Sequence, residues 1–157
     1  MKIITKLSLM FFVLTSSLTA QAHTGLGSDH YVWDGFLHPF IGLEHAWLVL
    51  AVGIWSVLLG AKATRILLLV YLIAMTFGAC AYWFGIQSAN PELWNLSAIS
   101  LLTMALLASK QLTFSIAVVI TAASATTQGL VHASEMQGHP IGYLFGLLLA
   151  TACIQLL

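Results

Sequence analysis

Charge is nearly absent from this chain: of 157 residues only five are Lys or Arg and five are Asp or Glu, against 60% hydrophobic residues and a mean hydropathy of +0.97. A soluble domain cannot cover its surface with so little charge, so that class is excluded. The sequence also has no basic patch, no P-loop and no Gly-rich dinucleotide turn, which argues against nucleic-acid or nucleotide partners and against ATP-driven pumping by this chain alone. Cysteine occurs twice, and Cys80 and Cys153 fall at depths more than about 10 Å apart along the helices expected below, too far for a disulfide. Strand-like alternation is missing too. Apolar runs without it cross a bilayer as helices, because lipid leaves every backbone polar group to be satisfied within its own segment.

What remains is an all-α integral membrane protein with about five transmembrane helices after a cleaved signal peptide. Lys2 and Lys6 precede the apolar run Leu7 to Leu14, and Ala20-Gln21-Ala22 has the small-x-small form of a cleavage site, so residues 1–22 are read as the signal peptide. The alternative, an uncleaved first span, meets a run shorter than the ~20 residues a crossing needs. Residues 23–157 form one transmembrane helical-bundle domain, with helices expected at 36–60, 64–84, 93–109, 112–131 and 141–157. Gly85, Asn90 and Pro91 divide the second from the third, and Gln137-Gly138-His139-Pro140 divides the fourth from the fifth. Pro39 and Pro140 suit first helical positions.

Lys62, Arg65 and Lys110 are the only basic residues after Ala22, and they follow the first and third helices. The positive-inside rule makes those loops cytoplasmic, which puts the mature N-terminus in the periplasm and the C-terminus in the cytoplasm of a bacterial inner membrane. All six histidines, with Asp29, Asp34, Glu44, Glu92 and Glu135, then lie at or near the outer face. Trp33, Trp47, Trp83 and Trp94 gather there as interfacial anchors.

Imidazole and carboxylate together suit divalent first-row transition metals. His38-Pro39-Phe40-Ile41-Gly42-Leu43-Glu44-His45 sets two imidazoles and a carboxylate at a helix head, with His45 roughly 9 Å along a helix counted from Pro39. Seven residues apart, His38 and His45 share a face with Gly42, Ser56 and Gly60, although His38 also reads as a helix cap. Glu44 lies about a third of a turn away, so one ion held by all three needs a distorted helix start or a bridging water. On the fourth helix Thr121, Ser124, Gln128, His132 and Glu135 recur at three- and four-residue intervals. They read either as a polar route or, for the hydroxyls, as helix packing. If cleavage follows Ala22, the free amino group and imidazole of His23 form a chelating pair.

These segments resemble the HupE/UreJ family over most of the mature chain. The likeness rests on Ala22-His23-Thr24-Gly25-Leu26-Gly27, on Gly35-Phe36-Leu37 running into the His38 to His45 segment, and on Leu50-Ala51-Val52-Gly53-Ile54-Trp55. Further matches are Gln128-Gly129-Leu130-Val131-His132-Ala133-Ser134-Glu135-Met136 and Leu149-Ala150-Thr151-Ala152. The resemblance implies uptake of nickel, or of cobalt in some members, for hydrogenase and urease, and places His38, His45, His132 and Glu135 at the metal site or its entrance. The chain departs from the family pattern at Glu44, where aspartate is usual, and at Gln128 and Gln155, where histidine is common.

The expectation is therefore a secondary, non-ATP permease or channel-like importer of a divalent metal, nickel before cobalt or zinc, from the periplasm. It needs no resident cofactor, and its helices enclose a path as a single chain or as a homo-oligomer. The alternatives are an intramembrane zinc-dependent hydrolase, for which no His-Glu-x-x-His signature is present, and a haem-binding or accessory membrane subunit with His45 and His132 as axial ligands.

Overall fold

The computed structural model describes residues 30–87, 89–136 and 138–156, so the expected signal peptide at 1–22 and His23 lie outside the described residues. Among the described residues there are six helices: α1 Tyr31–Ile41, α2 Leu43–Leu59, α3 Ala61–Trp83, α4 Pro91–Leu107, α5 Phe114–Glu135 and α6 Pro140–Leu156. Pro91 and Pro140 open α4 and α6, where the missing N–H costs nothing. Thr113 caps α5, its hydroxyl accepting from the Ile116 amide at 3.4 Å.

Two helices, α3 and α5, are long and apolar enough to cross a membrane. At 23 and 22 residues they extend about 33–35 Å, beyond the ~30 Å of a hydrocarbon core. The stretch read as one helix over 36–60 is instead two helices, α1 and α2, bent by 78° at Gly42 and long enough together for a broken third span. The apolar helices α4 and α6 are shorter, 17 residues each. Pro39, expected at a helix start, lies inside α1, because the helical run begins upstream at Tyr31; α1 ends two residues after it. A proline there deletes one backbone hydrogen bond close to where the helix stops in any case.

Helix α2 is central and packs against every other helix among the described residues. Two glycine-mediated contacts hold the flanking helices close. A Cβ on Gly78 of α3 would lie 2.0 Å from the Thr126 carbonyl oxygen of α5, and one on Gly129 would lie 2.0 Å from the Met75 carbonyl oxygen in return. The same reciprocity joins α1 to α6, where a Cβ on Gly35 would meet the Tyr143 carbonyl at 2.0 Å and one on Gly146 the Val32 carbonyl at 1.8 Å. Backbones approach this closely only where side chains are absent, the usual device for helix association in lipid.

Polarity is arranged with the apolar residues outside. Val57, Ile73, Phe77, Met104, Val119 and Ile141 are each about two-thirds exposed, whereas His45, Thr121, Ser124, Gln128, His132 and Thr151 are buried. Such a surface suits hydrocarbon rather than water, as in a membrane protein. Around the polar interior, Leu48, Val52, Trp55, Leu67, Tyr71, Met75, Leu102 and Leu147 fill the apolar core. Trp33, Trp83 and Trp94 are exposed, but Trp47 donates its indole N–H to Thr103 at 3.0 Å and so ties α2 to α4 rather than standing at the surface.

Candidate metal centre

The break at Gly42 builds the site. Gly42 adopts an extended conformation (φ −91°, ψ 100°), donates its N–H to the His38 carbonyl at 3.2 Å, and accepts at its own carbonyl from the His45 and Ala46 amides at 3.0 and 3.1 Å. One residue thus closes α1 and opens α2. On an unbroken helix His38 and His45 would be offset by about 10 Å along the axis; the bend brings their ring centroids to 5.1 Å. The His45 ring folds back over Gly42, where a Cβ would sit 2.5 Å from its Cδ2 atom.

From α5, His132 and Glu135 present one face at i, i+3 spacing to the same point. The His132 ring lies 4.8 Å from that of His38 and 4.3 Å from that of His45. Glu135 Oε2 stands 3.3 Å from His38 Nε2, 3.7 Å from His45 Nε2 and 3.9 Å from His132 Nδ1. One potential ligand atom from each of these four residues falls within 4.8 Å of all the others.

This donor set fits a divalent transition metal. Bonds of about 2.1 Å keep a metal's ligands no more than about 4.2 Å apart, so the widest pair need close by well under an ångström. His38 Nε2 and His132 Nδ1 are buried without a hydrogen bond. Leaving such atoms unsatisfied costs roughly 1–3 kcal/mol each, a cost that an ion accepting their lone pairs would remove.

The residues singled out from the sequence divide as follows. His38, His45, His132 and Glu135 come together. Glu44 stands beside them, with Oε1 4.0 Å from His45 Nε2 and Oε2 buried without a hydrogen bond. Glu44 and His45 are neighbours on α2, which starts at Leu43, so the expected angular separation between them persists and Glu44, read from the sequence as a candidate ligand, stays outside the four-residue cluster. Gln128 lies one turn deeper than His132 and holds His45 Nδ1 through its side-chain carbonyl at 3.0 Å, while its amide group donates to Asn95 Oδ1 of α4. Thr121 and Ser124 are buried with hydroxyls making no hydrogen bond, and Ser124 also borders a groove of about 260 Å³ between α4 and α5 beside Trp94 and Thr127. Ser56 is turned back on its own helix, donating to the Gly53 carbonyl at 2.7 Å. Gln155 is buried with its side-chain amide nitrogen unsatisfied. His30 and His139 are exposed and outside the cluster, the latter tilted against Tyr31 at 6.0 Å.

Asn95 is the site residue that the sequence reading passes over. Its signal was available: an asparagine four residues into an apolar helix needs a buried partner.

A model of the family described as "HupE / UreJ protein" matches residues 10–157. Protein HupE of Rhizobium leguminosarum bv. viciae is 30% identical over 140 residues, covering 88% of this chain and 73% of that protein. No solved structure matches.

Proposed function

The chain belongs to the HupE / UreJ protein family, and on that premise we propose that it is a secondary importer of a divalent transition metal, nickel in the first place, across the bacterial inner membrane. The observation that carries this reading is the buried meeting of His38, His45, His132 and Glu135 in a helical bundle whose outer surface is apolar. Buried metal-binding side chains inside a membrane bundle are costly and mark ion routes.

In this reading residues 1–22 are removed as a signal peptide and five crossings leave the His38 to Glu135 cluster facing the periplasm, where it strips water from the arriving ion. His23, as the new N-terminus, would offer a first chelating pair. Three imidazoles and a carboxylate replace part of the hydration shell; Gln128, Ser124 and Thr121 continue a polar face down α5 toward the cytoplasm. Ser56 contributes a hydroxyl oxygen at most, since its proton is committed to Gly53.

Two alternatives compete. The 4.3 Å separation of the His45 and His132 rings suits an ion better than a haem, whose axial ligands stand on opposite faces of the macrocycle. Three histidines and a carboxylate would also hold zinc, and Glu44, with a buried oxygen lacking a hydrogen bond, is the group that could activate water in a hydrolase. Uptake of radioactive nickel, cobalt and zinc by cells expressing the chain separates these readings. Accumulation that disappears in His45→Ala and Glu135→Ala at equal membrane abundance is expected; accumulation unchanged by both variants overturns the assignment, and none of any metal in the unaltered chain overturns import itself.

A further inference from the structure

Behind the cluster a hydrogen-bonded relay runs from His45 to two side chains outside the four clustered residues. His45 of α2, Gln128 of α5 and Asn95 of α4 are all buried, and they are joined in series: His45 Nδ1 to Gln128 Oε1 at 3.0 Å, then Gln128 Nε2 to Asn95 Oδ1. An imidazole has two nitrogens and, when neutral, one proton. Because Gln128 spends its NH₂ group on Asn95, it turns a carbonyl oxygen to His45, and a carbonyl can only accept. The proton of His45 is thereby drawn to Nδ1, and Nε2, the nitrogen 3.7 Å from Glu135 Oε2, is left as a bare lone pair.

We propose that Gln128 and Asn95 are positioning residues for metal capture: the amide relay holds His45 in the Nδ1–H tautomer with its Nε2 lone pair aimed at the cluster. The inference rests on the reading of that cluster as a metal site and deepens it. Histidine ligands commonly donate their second N–H to a carboxylate or carbonyl that fixes ring and tautomer. Here the acceptor is an uncharged amide, which orients the ring without adding negative charge. That is the chemistry expected of a site that must release its ion as well as bind it, since conduction needs binding weak enough to leave. Asn95 extends the control to α4, a helix that contributes no ligand, so the ring is referenced to three helices at once.

The sense of the relay is open to direct measurement. If both amides were turned the other way, Asn95 would donate to Gln128, Gln128 would donate to His45 Nδ1, and the proton would move to Nε2, pointing an N–H at the site. The full metal-free chain, labelled with ¹⁵N-histidine and reconstituted in lipid nanodiscs, gives the tautomer of His45 from its two ring-nitrogen shifts, assigned by their loss in His45→Gln. A neutral ring protonated at Nδ1 is expected, and Nε2–H in the unaltered chain overturns the proposal without recourse to any variant. Gln128→Met, which keeps the volume and removes the acceptor, should mix the two tautomers, and Gln128→Glu, which restores an acceptor, should return Nδ1–H. Nickel affinity by competition with a chelator should fall about 10–100-fold in Gln128→Met and Asn95→Leu, the usual effect of losing a ligand's outer partner, and should not fall in Gln128→Glu, which keeps the acceptor and adds a negative charge. An unchanged tautomer and affinity in Gln128→Met overturns the positioning role. Should the tautomers behave as expected while the unaltered chain binds no nickel, cobalt or zinc, the import reading falls and with it the metal-capture role of the relay.

Discussion

His38 and Glu135 meet at 3.3 Å between Nε2 and Oε2, although one lies in the last turn of α1 and the other is the last residue of α5. Among the four clustered residues Glu135 supplies the one negative charge, and its Oε2 lies within 4.0 Å of all three imidazoles. Glu135→Gln keeps size and an oxygen while removing the charge. It should weaken nickel binding about 100-fold, close to 2.7 kcal/mol, measured by competition with a chelator in detergent or nanodiscs. A loss below threefold would mean that the carboxylate does not touch the ion.

The six histidines provide an internal contrast. His38→Asn and His132→Asn each remove one nitrogen from the cluster and should abolish accumulation of radioactive nickel. His30→Ala and His139→Ala act on exposed rings outside the cluster and should leave accumulation within about twofold. Equal damage from all four would point to a general effect of histidine loss rather than to one built site.

Much of this site was legible before folding, because ligand-type side chains are scarce in a chain so poor in charge. His38, His45, His132 and Glu135 stand out by chemistry, and the structure brings the four together. What the sequence concealed was geometry. Gly42 looks like one small residue on a helical face, and nothing in its neighbours announces a 78° bend; yet that bend brings two rings about two helical turns apart to a centroid separation of 5.1 Å. The partners of Trp47 and Asn95 were hidden for a different reason. Each forms a single long-range hydrogen bond whose partner, Thr103 or Gln128, no local pattern can nominate.

Glu44 tests how far the length of a carboxylate side chain matters beside the cluster. Its Oε1 lies 4.0 Å from His45 Nε2, next to the cluster rather than in it. Glu44→Asp shortens the side chain by one methylene and should change nickel affinity less than about threefold. Glu44→Ala should reduce the rate of uptake severalfold through loss of local negative potential, with metal still bound by the remaining four residues. Loss of all binding in Glu44→Ala would promote this carboxylate to a ligand.

The glycine contacts predict stability rather than transport. A side chain at Gly129 would collide with backbone atoms of Met75 and Ala79, which cannot swing aside as a flexible side chain can. Gly129→Ala should therefore force α3 and α5 apart and destabilise the bundle by about 1–3 kcal/mol, the scale of overpacking a close contact. Gly53→Ala is the matched control, because its added Cβ would find its nearest heavy atom at 3.4 Å, an ordinary contact. Thermal unfolding in a fixed detergent compares the two, and a larger loss at Gly53 would refute the close approach.

Thr121 and Ser124 separate a route from mere packing. Both are buried with hydroxyls that make no hydrogen bond to the protein. If the hydroxyls only packed, Thr121→Val would be harmless to transport, and folding should change by less than about 1 kcal/mol because no hydrogen bond is lost. If they line the descent from the cluster, removing an oxygen that partly replaces the hydration shell slows passage without touching the ligands above. The expectation for Thr121→Val combined with Ser124→Ala is nickel affinity within about twofold of the unaltered chain and an uptake rate lowered about tenfold, roughly 1.4 kcal/mol on the barrier. Affinity and rate falling together would instead place these hydroxyls in the binding site, and an unchanged rate would move the route to another face of α5.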